Sequence, residues 1–267
     1  MNILITGSAG YIGTRLTTLV CDAFPDVRVT TCDVKYGYSD YADLQHNDFD
    51  IVFHLGAIST IMDSFARADE MMATNALNLI PFFQNNKVGK FIFSSTGAIY
   101  GNMTHPMKED EAKWMDCISP YAQTKYVAEG IIRRMCLNHV IARFGNVYGG
   151  DYGPREEWLA PTHFMKDDPI VVYGGSQIRD FVHVDVVCNA LIKAALRPDV
   201  IGTFNIADGI GTPLVQVAEL YSQRRKVPIV YKEHRQGDAV YVVLDVTKAR
   251  DFYLIPKEPV GYQEELP

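Results

Sequence analysis

The sequence predicts an α/β protein with a doubly wound parallel sheet and a smaller C-terminal lobe. Short apolar runs alternate with helical patterns through the first 145 residues, as a parallel sheet with crossover helices requires. A glycine-rich turn follows the first apolar run. After Gly145, glycine and proline become more frequent and the hydrophobic periodicity weakens. We therefore expect a regular sheet domain followed by a lobe of loops and short elements.

The predicted elements of the sheet domain follow one another in a regular order. Helical patterns extend from Leu16 through Val20, over about 63–84 and over about 120–137. The polar segment 35–47 predicts a loop with little helix. The apolar runs that separate these segments predict buried strands. They cover residues 2–5, 27–32, 50–55, 90–94 and 139–144.

The segment 6–13 places three glycines between the first strand and the first helix. Gly7 permits a tight turn, Gly10 lets the backbone approach an anion, and Gly13 lets the helix pack close to the strand. The N-terminus of that helix would then face a pyrophosphate. Asp33 ends the second strand twenty residues after Gly13, where a carboxylate binds an adenosine ribose. This spacing predicts a Rossmann-type NAD-binding site, with a surface turn and a solvated carboxylate as the alternative.

Composition limits the other classes of partner. A net charge of −7 argues against nucleic acid as the main partner. The five cysteines lack CxxC spacing, which indicates reduced thiols in a cytoplasm and neither a disulfide framework nor a metal site. The chain begins on its first predicted strand and contains no apolar run as long as a membrane span. We therefore expect a cytoplasmic protein without membrane association.

A tyrosine and a lysine one helical turn apart are the candidate chemical groups. Ser119 and Pro120 have the types preferred at an N-cap and a first helical position, so Tyr121 and Lys125 share one helix face. A free phenol has a pKa near ~10, and a neighbouring ammonium with a cationic nicotinamide ring favours the phenolate. Tyr121 would then be a general base on a substrate hydroxyl. The same spacing also occurs on ordinary amphipathic helices.

Together these residues resemble the extended short-chain dehydrogenase/reductase family, and within it the NAD-dependent nucleotide-sugar epimerase/dehydratase group. Residues 6–13 look like the TGxxGxxG motif of that family. Residues 54–57 are similar to its HxAG segment, which lines the cofactor. Residues 94–101 resemble its SSxxxYG strand end. The resemblance covers nearly the whole chain and implies the fold already predicted from the residues.

The resemblance implies roles for three reactive side chains. Thr96 would be the catalytic hydroxyl, which binds the sugar oxygen and relays its proton to Tyr121. Lys125 would lower the pKa of that phenol and also hold the nicotinamide ribose. The implied cofactor-binding residues are Gly7, Gly10, Tyr11, Ile12, Gly13, Asp33, Leu55, Gly56, Ala57, Asn75, Tyr121 and Lys125. Asp33 favours NAD over NADP because a carboxylate repels a 2′-phosphate, and Lys35 weakens that preference.

Further matches occur where the family binds its nucleotide-diphosphate sugar. The matching segments are 143–149 (RxxNVYG), 179–185 (RDFVHVxD) and 235–238 (RxGD). Besides Thr96, the resemblance implies substrate contacts by Asn146, Arg179 and Arg235. The two arginines would bind the pyrophosphate, because a guanidinium matches two phosphate oxygens at once. An Arg179 paired with Asp180 and a solvated Arg235 are the alternatives.

Departures from the family pattern distinguish between its reactions. In 4,6-dehydratases an Asp and a Glu follow the catalytic hydroxyl, whereas Gly97 and Ala98 stand here and cannot transfer protons. The resemblance therefore implies an NAD-dependent epimerase of a nucleotide-diphosphate sugar, with C4 as the favoured position and a transient 4-keto intermediate. A nucleotide 4-keto-sugar reductase that uses NAD(P)H and a non-catalytic NAD-binding regulator stay open. An epimerase of the heptose type is a further alternative.

We expect two lobes. Residues 1–145 plus about 179–200 would form the NAD-binding Rossmann domain. Residues of about 146–178 plus 201–267 would form the substrate-binding lobe.

The resemblance also implies a homodimer. Members of the family pair their long helix and active-site helix in a four-helix bundle, here segments of about 63–84 and 121–137. The chain is short for the family, because the interval between Asp33 and His54 is compressed and the tail after Asp251 is brief. The first change would remove a helix over the adenine, and the second would open the sugar pocket.

Overall fold

A parallel sheet of six strands forms the centre of the computed structural model, which describes residues 1–34, 40–102, 104–150, 164 and 167–259. This sheet confirms the predicted fold class. In chain order the described strands are β1 (Asn2–Thr6), β2 (Arg28–Cys32), β3 (Asp48–His54), β4 (Lys87–Thr96), β5 (His139–Phe144), β6 (Asn146–Tyr148), β7 (Ile170–Tyr173), β8 (Ile178–His183), β9 (Gly202–Ile206), β10 (Gly211–Pro213), β11 (Ile229–Lys232) and β12 (Tyr241–Val242). The central sheet has the order β2-β1-β3-β4-β5-β9.

Helices cover both faces of this sheet. They are α1 (Tyr11–Ala23), α2 (Ile61–Ser64), α3 (Ala68–Met72), α4 (Leu79–Asn85), α5 (Pro120–Met135), α6 (Val184–Leu196), α7 (Leu214–Arg225) and α8 (Thr247–Asp251). Alternate residues of β1 point to opposite faces, as the pleat of a strand requires. Ile3 and Ile5 join one core with Leu16 of α1 and Val187 of α6. Leu4 joins the other core, which contains residues of α4 and α5.

The register of the central strands brings their carboxyl ends to one edge. Thr6 lies opposite His54, and His54 lies opposite Phe93. One strand further along the sheet, Thr96 lies opposite Phe144. Open parallel sheets bind their ligands outside this edge, where the connecting loops diverge.

The smaller lobe is built around a second sheet. Strand β8 lies between β10 and β12 and also pairs with β6, while β7 and β11 form a separate parallel pair. Two strands differ from the predicted boundaries. Strand β9 belongs to the central sheet, although it lies in the range 201–267 that the sequence predicts for the lobe. Strand β8 belongs to the second sheet, although most of it lies in the range 179–200 that the sequence predicts for the NAD-binding domain. The remaining division into lobes stays a prediction.

The long helix predicted over residues 63–84 is interrupted. It consists of α2, α3, a π-helical segment Ala73–Leu77 and α4. Within the π segment, Asn78 N donates to the carbonyl of Ala73, five residues earlier. Pro81, the third residue of α4, lacks an N–H group and cannot pair with the carbonyl of Leu77, so the hydrogen bonding of a regular α-helix is broken between the π segment and α4.

Three properties of the described residues bear on the predicted environment and on metal binding. Each helix there is too short or too polar to cross a membrane. All five cysteines carry free thiols, and only Cys21 is exposed. The described part of the chain contains no group of three His, Cys, Asp or Glu side chains arranged to hold a metal ion.

Candidate active site

A cavity of about 610 Å³ opens at the carboxyl edge of the central sheet. It lies between the sheet domain and the smaller lobe, and most of the residues predicted for the site line it. These residues are Gly7, Gly10, Tyr11, Ile12, Gly13, Leu55, Ala57, Thr96, Tyr121, Lys125, Asn146, Arg179 and Arg235. The cavity thus joins the predicted cofactor, catalytic and substrate residues in one wall. Asp33, Gly56 and Asn75 lie outside that wall.

The glycine turn between β1 and α1 is packed too closely for side chains. Gly7 has a φ of +66°, and a Cβ on it would lie 2.6 Å from the N atom of Gly56. A Cβ on Gly13 would lie 2.0 Å from the carbonyl oxygen of Gly7. Helix α1 begins directly behind this turn with Gly10 as its N-cap, so the positive end of the helix dipole points into the cavity. A side chain at either glycine would fill this cradle. The space that the glycines leave fits the close approach of a pyrophosphate.

Asp33 lies beside the glycine turn rather than in the cavity wall. Its Oδ2 atom accepts a hydrogen bond of 2.9 Å from the N–H of Ala9. The carboxylate is therefore fixed next to the cradle, at the end of β2, where the sequence places a ribose ligand. Lys35, which weakens the preference for NAD, lies outside the described residues.

Asn75 holds the loop after β3 instead of reaching the cavity. Its Oδ1 atom accepts a hydrogen bond of 2.8 Å from Ile58 N, and its Nδ2 atom donates to Ile58 O at 2.9 Å. The same Nδ2 atom donates to Thr124 Oγ1 at 3.1 Å. This buried amide therefore connects the π segment, the loop and α5. Contact of Asn75 with a cofactor stays a prediction.

The active-site helix starts as the sequence predicts. Ser119 is the N-cap of α5, its Oγ atom accepts a hydrogen bond of 3.2 Å from Ala122 N, and Pro120 is the first helical residue. Both Tyr121 and Lys125 line the cavity, one helical turn apart.

The amine of Lys125 is almost completely buried. Its Nζ atom donates to the carbonyl of Ser94 at 2.9 Å and lies 4.8 Å from the ring centroid of Phe93. Burial lowers the pKa of Lys125 to about 7, and the carboxylate of Glu129 opposes this shift. The charge of a buried amine with a lowered pKa depends strongly on neighbouring groups.

Two charged residues beneath the cavity were not predicted as site residues. Glu129 and Arg143 are buried and form a two-pronged ion pair, with Arg143 Nε 2.9 Å from Glu129 Oε1 and Nη2 2.6 Å from Oε2. Arg143 belongs to a segment that the resemblance matched, but no role was assigned to it. The sequence feature that could have identified Glu129 as a site residue is its spacing, since it lies one turn after Lys125 on the same helix face.

Arg179 is paired inside the cavity wall. Its Nη2 atom donates to Asp238 Oδ1 at 2.5 Å, and its Nη1 atom donates to the carbonyl of Ile178 at 3.1 Å. The partner is therefore Asp238 and not Asp180. Asp180 is buried and accepts backbone hydrogen bonds, among them one of 3.1 Å from Leu244 N.

Arg235 is held against an aromatic ring. Its guanidinium carbon lies 3.5 Å from the ring centroid of Tyr173, a cation–π geometry. Hydrogen bonding to this guanidinium lowers the pKa of Tyr173. Arg179, Arg235 and Asn146 all line the cavity. Arg235 lies in a loop and is partly exposed, and its contact with the substrate stays a prediction.

Comparison with known proteins identifies the family. The family model described as the NAD dependent epimerase/dehydratase family matches residues 3–207. This chain belongs to that family. The finding confirms the resemblance on which the roles of Thr96, Tyr121 and Lys125 were predicted.

Relatives of known name cover nearly the full chain. The putative UDP-glucose 4-epimerase of Methanocaldococcus jannaschii is 25% identical over an alignment of 296 positions, which covers 99% of this chain and 93% of that protein. The UDP-glucose 4-epimerase of Thermotoga maritima, solved with UDP-glucose, has a TM-score of 0.82 and 29% identity and covers 96% of this chain and 94% of its own. The UDP-N-acetylglucosamine 4-epimerase of Methanobrevibacter ruminantium M1, solved with UDP-N-acetylmuramic acid, has a TM-score of 0.80 and 27% identity, with coverages of 94% and 91%.

Replacement of Gly13 by alanine should weaken NAD binding. A Cβ placed 2.0 Å from the carbonyl oxygen of Gly7 must push α1 away from the turn, which removes the cradle. We expect the Kd for NAD, measured by isothermal titration calorimetry, to rise about tenfold or more, since even 1.4 kcal/mol of lost contact has that effect.

Gly130→Ala is the matched control for this substitution. Gly130 lies within α5, and an added Cβ there meets nothing within 4 Å. Alanine should therefore be tolerated or slightly stabilising, with the Kd for NAD unchanged. Equal NAD affinity in the Gly13→Ala protein and the wild type would contradict the assignment of the cradle.

Proposed function

We propose that this chain is an NAD-dependent epimerase that inverts a nucleotide-diphosphate sugar at C4 through a transient 4-keto intermediate. One observation carries the proposal: Thr96, Tyr121 and Lys125 line the same cavity as the glycine cradle. The names of the relatives support it, since they describe 4-epimerases of UDP-glucose and of UDP-N-acetylglucosamine.

The residues around the cradle would hold NAD. The turn at Gly7 and Gly13 and the N-terminus of α1 would bind its pyrophosphate. Asp33 would bind the adenosine ribose, and Lys125 the nicotinamide ribose. When bound, NAD supplies a nicotinamide ring that takes a hydride from the sugar and gives it back.

The side chains of the cavity perform the proton chemistry. Tyr121, as a phenolate, accepts the proton of the C4 hydroxyl and later returns it to the C4 oxygen. Thr96 hydrogen-bonds the same oxygen and can relay that proton. The ammonium of Lys125 stabilises the phenolate by its charge. At the end of a cycle both proton and hydride are back on the sugar, so the reaction is an isomerisation.

The two arginines and Asn146 hold the diphosphate while the 4-keto sugar turns its opposite face to the cofactor. Both guanidinium groups are already positioned, Arg179 by Asp238 and Arg235 by the ring of Tyr173. Such preorganisation reduces the conformational entropy that substrate binding costs. A firmly held diphosphate combined with a mobile sugar is what inversion at C4 requires.

We also propose that the protein is a cytoplasmic homodimer. The free thiols favour a reducing compartment. Leu77 and Ile80 expose their side chains on the interrupted long helix, as does Met135 at the end of α5. Apolar side chains on these two segments support their pairing with a second copy.

Proton NMR tests the proposed reaction directly. Purified protein is mixed with NAD and a panel of UDP-, GDP-, dTDP- and ADP-sugars, each with and without NADH. A new anomeric signal that approaches an equilibrium mixture without consumption of NADH is expected. If NADH is consumed only with 4-keto sugars, the proposed epimerase is replaced by a reductase. If no sugar changes and no NADH is consumed, although the protein binds NAD, the result favours a non-catalytic regulator.

Substitution of Tyr121 by phenylalanine should abolish most of the turnover. Loss of the general base is expected to lower kcat by about 10³-fold, with the Kd for NAD unchanged because the ring remains. Tyr126→Phe on the same helix is the control, since Tyr126 packs against Trp114 and lies outside the cavity wall. Wild-type turnover in the Tyr121→Phe protein would rule out this residue as the base.

Analytical ultracentrifugation tests the oligomeric state. We expect a sedimentation-equilibrium mass of twice the 30.0 kDa of one chain. A double substitution of Leu77 and Ile80 by glutamate should shift the mass to that of a single chain, because charges would be buried in the apolar contact. A wild-type mass of one chain at micromolar concentration would contradict the homodimer.

A further inference from the structure

A buried cluster of three charged residues lies behind the cavity: Lys125, Glu129 and Arg143, which we call the α5 charge cluster. The exposed fractions of these residues are 3%, 0% and 2%. Burial of a carboxylate is costly unless charge and hydrogen bonds compensate it. Glu129 is fully compensated: besides both prongs of Arg143, it accepts a hydrogen bond of 2.6 Å from Ser95 Oγ and one of 2.7 Å from Arg133.

The cluster joins α5 to the end of β4 at two successive residues. Lys125 donates to the carbonyl of Ser94, and Ser95 donates to Glu129. Thr96 is the next residue of the strand. On the helix side, Tyr121 lies one turn before Lys125, and Glu129 lies one turn after it. These two contacts therefore determine how Thr96 and Tyr121 face each other across the cavity.

The partner of Glu129 is itself held in place. Arg143 donates through Nη1 to Tyr100 Oη at 2.9 Å and to the carbonyl of Glu109 at 2.6 Å. Its guanidinium carbon also lies 5.0 Å from the ring centroid of Tyr100. Tyr100 in turn donates to Asn205 Oδ1 at 2.6 Å. The side chain of Arg143 is therefore held in one position on the sheet, and its ion pair fixes Glu129 there.

The charge of Glu129 also acts on Lys125. The titratable groups that act on this amine are Glu129 from α5 and His54 from β3, and Tyr121 lies one helical turn away. Burial lowers the pKa of His54 to about 3, so His54 is neutral at physiological pH. Together with the phenolate of Tyr121, the carboxylate of Glu129 therefore favours the protonated form of Lys125.

We propose that Glu129 is a positioning residue of the active site, which fixes Lys125 and Thr96 relative to Tyr121 and maintains the Lys125 ammonium. The kinetic part of this inference rests on the proposed epimerase function. The part that concerns the charge of Lys125 is independent of turnover.

Glu129→Gln tests both parts. We expect kcat to fall about tenfold or more because the three reactive groups lose their alignment, while KM for the sugar stays the same. Removal of a negative charge beside an ammonium lowers the pKa of Lys125. The alkaline limb of the kcat–pH profile, where the ammonium is lost, should therefore move down by about one pH unit. Glu129→Asp keeps the charge and should restore the position of that limb.

Asp185→Asn is the matched control. Asp185 also forms a two-pronged pair, with Arg15 at 2.6 and 3.0 Å, between α6 and α1, although this pair is partly exposed. It lies outside the cavity wall. Loss of this pair should leave kcat and the alkaline limb as in the wild type, so an effect confined to Glu129→Gln is not a general effect of removing an ion pair.

NMR titration of protein labelled with ¹³C at the lysine ε-carbon provides a readout without turnover. The Lys125 signal, assigned with Lys125→Arg, should titrate at lower pH in Glu129→Gln than in the wild type or in Asp185→Asn. If no sugar is turned over by the wild type, the proposed function fails and this titration still decides the charge effect. Wild-type kcat, pH profile and Lys125 titration in the Glu129→Gln protein would overturn the inference.

Ser95→Ala serves if Glu129→Gln does not fold. It removes one hydrogen bond to Glu129 and leaves the ion pair with Arg143 intact. A reduced kcat with an unchanged Lys125 titration is expected, since position changes and charge does not. Wild-type kcat in this variant would overturn the positioning role.

Discussion

Parallel register is the constraint on which this structure depends. It places the carboxyl ends of β1, β3, β4 and β5 at one edge of the sheet, with Thr6 opposite His54 and Thr96 opposite Phe144. Segments far apart in the chain therefore contribute to one cavity. The glycine turn, the strand end at Thr96 and the helix that carries Tyr121 meet there only because all these strands run in the same direction.

Sequence was most informative where one segment determines its own geometry. The contact of Gly13 with the carbonyl of Gly7 is such a case, because the spacing of the glycines and the close strand–helix packing are the same local property. The start of α5 is another, since Ser119 and Pro120 satisfy and fix the first turn without help from the rest of the chain. Five of the six strands of the central sheet were predictable for a similar reason, as short apolar runs between turns, whereas β9 was not.

Partners that come from distant segments could not be read from the sequence. Arg179 pairs with Asp238, 59 residues away, although Asp180 is adjacent. A neighbour in sequence on a strand points to the opposite face, and Asp180 instead accepts backbone N–H groups from other loops. The pairing of Glu129 with Arg143 likewise needs the packing of α5 on β5. In the predicted long helix, the apolar periodicity continues past Pro81, so it did not indicate that the helix is interrupted.

The space around Gly97 bears on which reactions this fold can perform. Dehydratases that resemble this chain carry a carboxylate immediately after the catalytic hydroxyl. Here a Cβ on Gly97 would lie 3.1 Å from Leu244 Cδ2 and 3.3 Å from the carbonyl oxygen of Phe144. These neighbours come from the C-terminal part of the chain and from β5, and a side chain at position 97 would be in tight contact with both. Glycine at this position therefore fits the packing around it, and under the proposed function a cavity without an acid here would leave the sugar's hydroxyl groups in place while Tyr121 moves the proton at C4.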